Sequence, residues 1–148
     1  MPTYSVMTAN VRLSTEQESE ISSAITKAHH EHTGAPGFFA QTIFSPIAEG
    51  RHYIGGKLNK SQHVFVHGLI RAGRSAEVKA GLMTEIAERV RTIANISSED
   101  IWVYIQEIPA GQMIEFGRML PSPGAESEWR KGITPRKLED FAKAGVAL

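Results

Sequence analysis

The sequence predicts an α+β fold made of two fused β-α-β repeats, with one four-stranded sheet and two helices on a single face. Three observations carry this. The chain repeats itself with a period of about 62 residues. Each copy opens on a short alternating segment, Thr3–Thr8 and then Val64–Leu69, the period-two pattern of a strand. Each segment leads into a stretch whose apolar residues recur at helical spacing.

In the first copy, Ser14 and Thr15 precede Gln17 and Glu18, a capping-box pattern that starts a helix. Ile21, Ala24, Ile25 and Ala28 then fall on one face. In the second copy Ser75 opens the helix, and Val78, Leu82, Ile86, Val90 and Ile93 form the stripe. A second strand follows each helix, expected over Phe38–Phe44 and Ile101–Glu107. Arg12 lies ten residues after Pro2 and Arg74 ten after Val64, and Pro-Ile-Ala-Glu-Gly at 46–50 echoes Ile-Pro-Ala-Gly at 108–111. A crossover through a helix gives parallel strand pairs, so both copies can share one sheet. The repeats span about 2–62 and 63–120, within a single domain covering 1–148. The sheet face without helices needs a cover, and burial between subunits is the favoured solution. Residues 121–148, with Pro121, Pro123, Gly124 and Pro135, are expected to form a peripheral tail packed on a neighbour.

The 148 residues hold sixteen basic and sixteen acidic side chains, so no global field draws nucleic acid or an anionic membrane. With no cysteine, disulfides, thiolate catalysis and Cys-ligated zinc are excluded. There is neither an apolar run of about 18 residues nor a signal-peptide core, and the expectation is a soluble cytoplasmic protein.

Six residues stand out for chemistry. Pro2 follows the initiator Met1, and removal of Met1 would leave a free secondary amine titrating near neutral pH. Arg71 and Arg74 flank Gly73 at a strand-to-helix turn, where two guanidiniums can converge on one carboxylate. The bland alternative for them is solvated turn arginines. His29 extends the Ile25 stripe inward and can donate to an anion. His30 and His32 crowd beside it, yet His29 and His32 have no third ligand at metal spacing, so no metal site is expected. Tyr104 alternates with Trp102 in the last strand. Both could be core aromatics, as is expected of Trp102, but a hydroxyl in a pocket makes Tyr104 the better functional candidate. Glu115, between apolar neighbours, can orient water, its alternative being an exposed loop glutamate.

Taken together, a processed Pro2, the twofold repeat and the Arg71-Ala72-Gly73-Arg74-Ser75 turn resemble the tautomerase superfamily, which includes 4-oxalocrotonate tautomerase and macrophage migration inhibitory factor. Phe65-Val66-His67-Gly68-Leu69, Ile101-Trp102-Val103-Tyr104 and Glu115-Phe116-Gly117-Arg118 look like the cis-3-chloroacrylic acid dehalogenase family. The resemblance runs from Pro2 to about Trp129. It implies a homotrimer without cofactor or metal, acting on a small unsaturated carboxylic acid. By residue it implies catalytic roles for Pro2, Tyr104 and Glu115, and substrate binding by His29, Arg71 and Arg74. The implied reaction is water addition to 3-substituted acrylates such as cis-3-chloroacrylate, giving hydrolytic dehalogenation or hydration, with enol-keto tautomerase side activity. The loop Thr33–Phe39 departs from the family pattern in its small polar and apolar residues. Two alternatives remain: a tautomerase of enolpyruvate-type 2-oxo acids, and a non-enzymatic binding protein on the same scaffold.

Overall fold

Strand β1 (Thr3–Ala9) leads into helix α1 (Thr15–Thr33), strand β2 (Gln41–Pro46) and a small hairpin, β3 (Tyr53–Ile54) with β4 (Lys57–Leu58). The second copy runs β5 (His63–Arg71), α2 (Ala76–Ala94) and β6 (Ile101–Ile108), then a second hairpin, β7 (Ile114–Glu115) with β8 (Arg118–Met119). Two short helices, α3 (Glu126–Arg130) and α4 (Pro135–Lys143), close the chain. This computed structural model describes residues 2–146. The expected removal of Met1 therefore concerns a residue outside those described, as do the last two positions of the tail.

The sheet order is β2-β1-β5-β6. Pairing is parallel within each copy, β1 with β2 and β5 with β6, and antiparallel between copies, β1 with β5. Val6 pairs with Val66 on the face that carries both helices, where Ile21, Ile25, Leu82, Ile86 and Val90 complete the core. The caps form as the sequence signals: Ser14 Oγ accepts from Gln17 N and Gln17 Oε1 accepts from Ser14 N, while Ser75 Oγ accepts from Val78 N.

Three expectations are corrected. The second strand starts at Gln41, not Phe38. Pro36 and Gly37 open a 3-10 turn in which Ala40 N donates to Gly37 O, and this tucks Phe38 and Phe39 inward. The tail does not wait for a neighbour: Trp129 and Ile133 bury against Phe38, Phe39 and Leu120 of the same chain, and Trp129 Nε1 donates to Met119 O at 2.6 Å. Last, Trp102 is not the core residue expected, and Tyr104 shares its exposure. They are 42% and 55% exposed, on the sheet face opposite the helices, because β6 alternates so that Ile101 takes the core position.

Candidate functional site

Pro2 is buried at the head of β1, and its carbonyl accepts from Gln41 N at 2.9 Å, tying the chain start to β2. It borders a small cavity together with His29, Ala35, Arg71, Arg74 and Glu126. Four of the six residues singled out from the sequence thus meet around one space. Each arrives by a different local rule.

His29 comes one helical turn after Ile25 and is 5% exposed. Its Nδ1 lies 2.8 Å from the hydroxyl of Tyr4, which β1 points into the core. Burial, then the Arg74 charge, push the His29 pKa down to about 3, so the ring is neutral at pH 7. Burial pushes the Tyr4 phenol up, which keeps its proton in place. A bond donated by the Tyr4 hydroxyl to Nδ1 would place the imidazole proton on Nε2, making it a donor without charge. Tyr4 reaches this position because Gly68 lies beside it on β5: a Cβ at Gly68 would meet the Tyr4 ring at 2.6 Å and Ile105 at 2.7 Å.

Arg71 ends β5 and Arg74 precedes α2, with Gly73 between them at a φ of 111°, a conformation that suits glycine. Glu107 at the end of β6 holds this turn: one carboxylate oxygen accepts from Gly73 N at 3.0 Å and Arg74 N at 3.1 Å, the other from Lys79 Nζ at 2.7 Å. The Lys79 bond and the Arg74 backbone bond hold the Glu107 carboxyl below its ordinary value. Arg71 is 7% exposed and already engaged, donating to Pro121 O at 2.9 Å and to the Glu126 carboxylate. Arg12, the first-repeat counterpart of Arg74, instead borders a separate groove with Asn10 and Glu49.

The other two predicted residues lie elsewhere in the single chain. Glu115, on β7, borders a cavity of about 620 Å³ that reaches Thr3, the residue next to Pro2, and includes Phe39, Gln41 and Lys137. Tyr104 pairs across the sheet with His67 and packs edge-on against Phe65, on the open face. The one-chain structure brings Tyr104 to neither cavity. Among the described residues, no cluster of His, Asp or Glu is placed to hold a metal ion, and no helix is long and apolar enough to cross a membrane.

Sequence reasoning missed Tyr4, Glu107 and Glu126. Tyr4 was accessible from the alternation Tyr4-Val6-Thr8, which puts it on the helix-covered face. Glu107 closes a predicted strand one register step from Arg71. For Glu126, 55 residues from Arg71, the sequence held no local signal.

The family described as "Putative oxalocrotonate tautomerase enzyme" matches residues 1–133 of this chain. The crystal structure of N1, a member of the cis-3-chloroacrylic acid dehalogenase family, is similar with TM-score 0.83 and 30% identity, covering 95% of this chain and 99% of that one. A fused 4-OT described as a symmetric trimer is similar with TM-score 0.72 and 20% identity, covering 83% of this chain and 98% of that one. Pt0534, crystallised after inactivation by 2-oxo-3-pentynoate, is similar with TM-score 0.72 and 16% identity, covering 80% and 94%. No curated protein matches this chain. The family match over most of the sequence and the near-complete overlap with N1 show that the chain belongs to the tautomerase superfamily, in the cis-3-chloroacrylic acid dehalogenase family.

Proposed function

We propose that this protein is a cofactor-independent enzyme whose amino-terminal proline, freed by removal of Met1, promotes water addition to 3-substituted acrylates. The observation that carries the reading is the single cavity shared by Pro2, His29, Arg71 and Arg74. An amine, two guanidiniums and a neutral imidazole donor around one small space suit a short organic acid anion. Arg74 and the His29 N–H would hold the substrate carboxylate, and Arg71 would join once its present partner yields. Their pull on the carboxylate withdraws electron density from C3. Glu115, with Tyr104 supplied by a neighbouring copy, would orient and deprotonate water as its oxygen bonds to C3. The C2=C3 π pair then takes a proton at C2 from the Pro2 ammonium. Where C3 carries chlorine, the resulting chloro alcohol loses chloride and its hydroxyl proton to give the aldehyde acid. Without chlorine, the hydrated acid is the product. A homotrimer is part of this proposal, supported by the uncovered sheet face and the trimeric fused 4-OT fold relative.

A tautomerase of enolpyruvate-type acids is the second reading. The observation in its favour is that only Pro2, among the proposed catalytic residues, faces the cation-lined cavity within one chain. There the neutral proline nitrogen would take the enol proton and return one to carbon. Guanidiniums favour that neutral amine, whereas Glu115 and Glu126 favour the ammonium. Intact mass should first show loss of Met1. Chloride release from cis-3-chloroacrylate and ketonisation of phenylenolpyruvate are then compared, and Pro2→Ala should lower the relevant turnover on the order of 10²–10⁴-fold. A retained Met1, or unchanged turnover in Pro2→Ala, sinks both enzymatic readings.

A further inference from the structure

The candidate anion site is already filled by the chain itself. Both terminal nitrogens of Arg71 serve the tail, one on the Pro121 carbonyl and one on the Glu126 carboxylate. Glu126 borders the same cavity as Pro2, His29 and Arg74, and only about 10 Å³ of free space remains there. That is room for roughly one water, far less than an organic acid needs. Burial raises the Glu126 carboxyl, but the bond and charge from Arg71 outweigh it and leave the group below its ordinary value, an anion at neutral pH. The stretch leading to Glu126 is exposed between two buried anchors. Leu120 and Trp129 anchor it in the small core on either side, while residues 122–125 between them are exposed and Gly124 turns at a φ of 92°.

We propose that Glu126 is an internal competitor at this site, a tail carboxylate that occupies the anion position on Arg71 and must give it up to the carboxylate of a ligand. Exchange of one carboxylate for another keeps the buried guanidinium paired throughout. A neutral ligand offers nothing in return for Glu126, because displacement would strand the Arg71 charge. Glu126 would therefore weaken the binding of carboxylate ligands and leave neutral ones unaffected. This inference rests on the proposed reading of Pro2 and Arg71.

The test follows covalent labelling of Pro2 by two acetylenic probes, 2-oxo-3-pentynoate and the neutral ketone 3-pentyn-2-one. In each, at a pH that leaves the proline nitrogen neutral, its electron pair attacks the alkyne carbon β to the carbonyl, one C≡C π bond breaks, the nitrogen gives up its proton to solvent and the carbon next to the carbonyl takes one. The protein thus gains the whole probe mass. Glu126→Gln keeps the shape and removes the charge, so labelling by 2-oxo-3-pentynoate should become about 10-fold more efficient through a lower half-saturating concentration. The rate with 3-pentyn-2-one should stay within about twofold. Glu126→Asp, which retains the anion, should behave as the wild type and guards against a folding artefact. Unchanged or weaker labelling of Glu126→Gln by 2-oxo-3-pentynoate overturns the proposal and leaves Glu126 as a support that orients Arg71. Equal acceleration with both probes also overturns it, since the tail would then act as a plain steric block. If Pro2 is labelled in neither wild type nor variant, the parent reading falls and this inference with it.

Discussion

His29 is a titratable ring held where it stays neutral. It is 5% exposed and its pKa is pushed down from 6.5 to about 3 by burial and the Arg74 charge. The unfolded chain binds the ring's proton near pH 6.5, whereas the folded chain binds it only near pH 3. Between these values the unfolded state holds the extra proton, so stability rises with pH and falls as the solution is acidified. At about 1.4 kcal/mol per unit, this residue alone should cost about 2 kcal/mol between pH 6.5 and 5, a window above the lowered carboxylates of Glu107 and Glu126. Replacing it by Gln, which can still accept from Tyr4, should flatten the pH dependence of urea unfolding there. An unaltered slope would show that the ring is not protected as the geometry requires. The neighbouring Gly68 is equally constrained. Gly68→Ala should drive the Tyr4 ring off His29 and lower stability by about 1–3 kcal/mol, measured by denaturant unfolding. His29 was readable from helical spacing. The face that Tyr4 takes was readable from strand alternation, but its pairing with His29 was not, because that closeness depends on an absent side chain across the sheet.

At the level of elements, the turn between β5 and α2 decides where Arg74 points, and Glu107 decides the turn. Its two backbone bonds, at 3.0 and 3.1 Å, join the ends of β6 and α2, and Lys79 fixes the carboxylate from the helix side. Glu107→Ala should lower stability by about 1–2 kcal/mol and raise KM for a carboxylate substrate more than it changes kcat. Glu107→Gln keeps an acceptor oxygen for the two N–H groups and should restore most of the affinity. Equal KM values for the two variants would separate Glu107 from the placement of Arg74. The strands and helices that build this turn were readable because alternation, caps and helical stripes are local patterns. The start of β2 was not. Phe38 and Phe39 look like strand residues, yet their burial depends on Trp129 and Ile133, about ninety residues away. The same remoteness hid the Glu126 bond, so the arginine pair was foreseen and its present occupant was not.

Across the whole molecule, α1 and α2 cover one side of the sheet and leave the other bare. Met7, Phe65 and Leu69 share that face with the exposed Ile43, Trp102 and Tyr104, an apolar surface that a second copy of the chain would remove from water. The need for a cover was evident from chain length and sheet topology, but a sequence cannot reveal which copy a residue serves. Tyr104 illustrates this, for its strand was predicted within a residue and its side chain lies away from the Pro2 cavity. If Tyr104 completes the site of a neighbour, two defective variants should rescue each other. Pro2→Ala chains carry a working Tyr104, and Tyr104→Phe chains carry a working Pro2. In trimers reassembled at random from equal amounts, about a quarter of the sites draw both working residues from different chains. Turnover of cis-3-chloroacrylate should therefore return to about a quarter of the wild-type rate after denaturation, mixing and refolding, though each variant refolded alone stays inactive. Without such recovery, while native mass spectrometry shows mixed trimers, Tyr104 does not complete a neighbour's site.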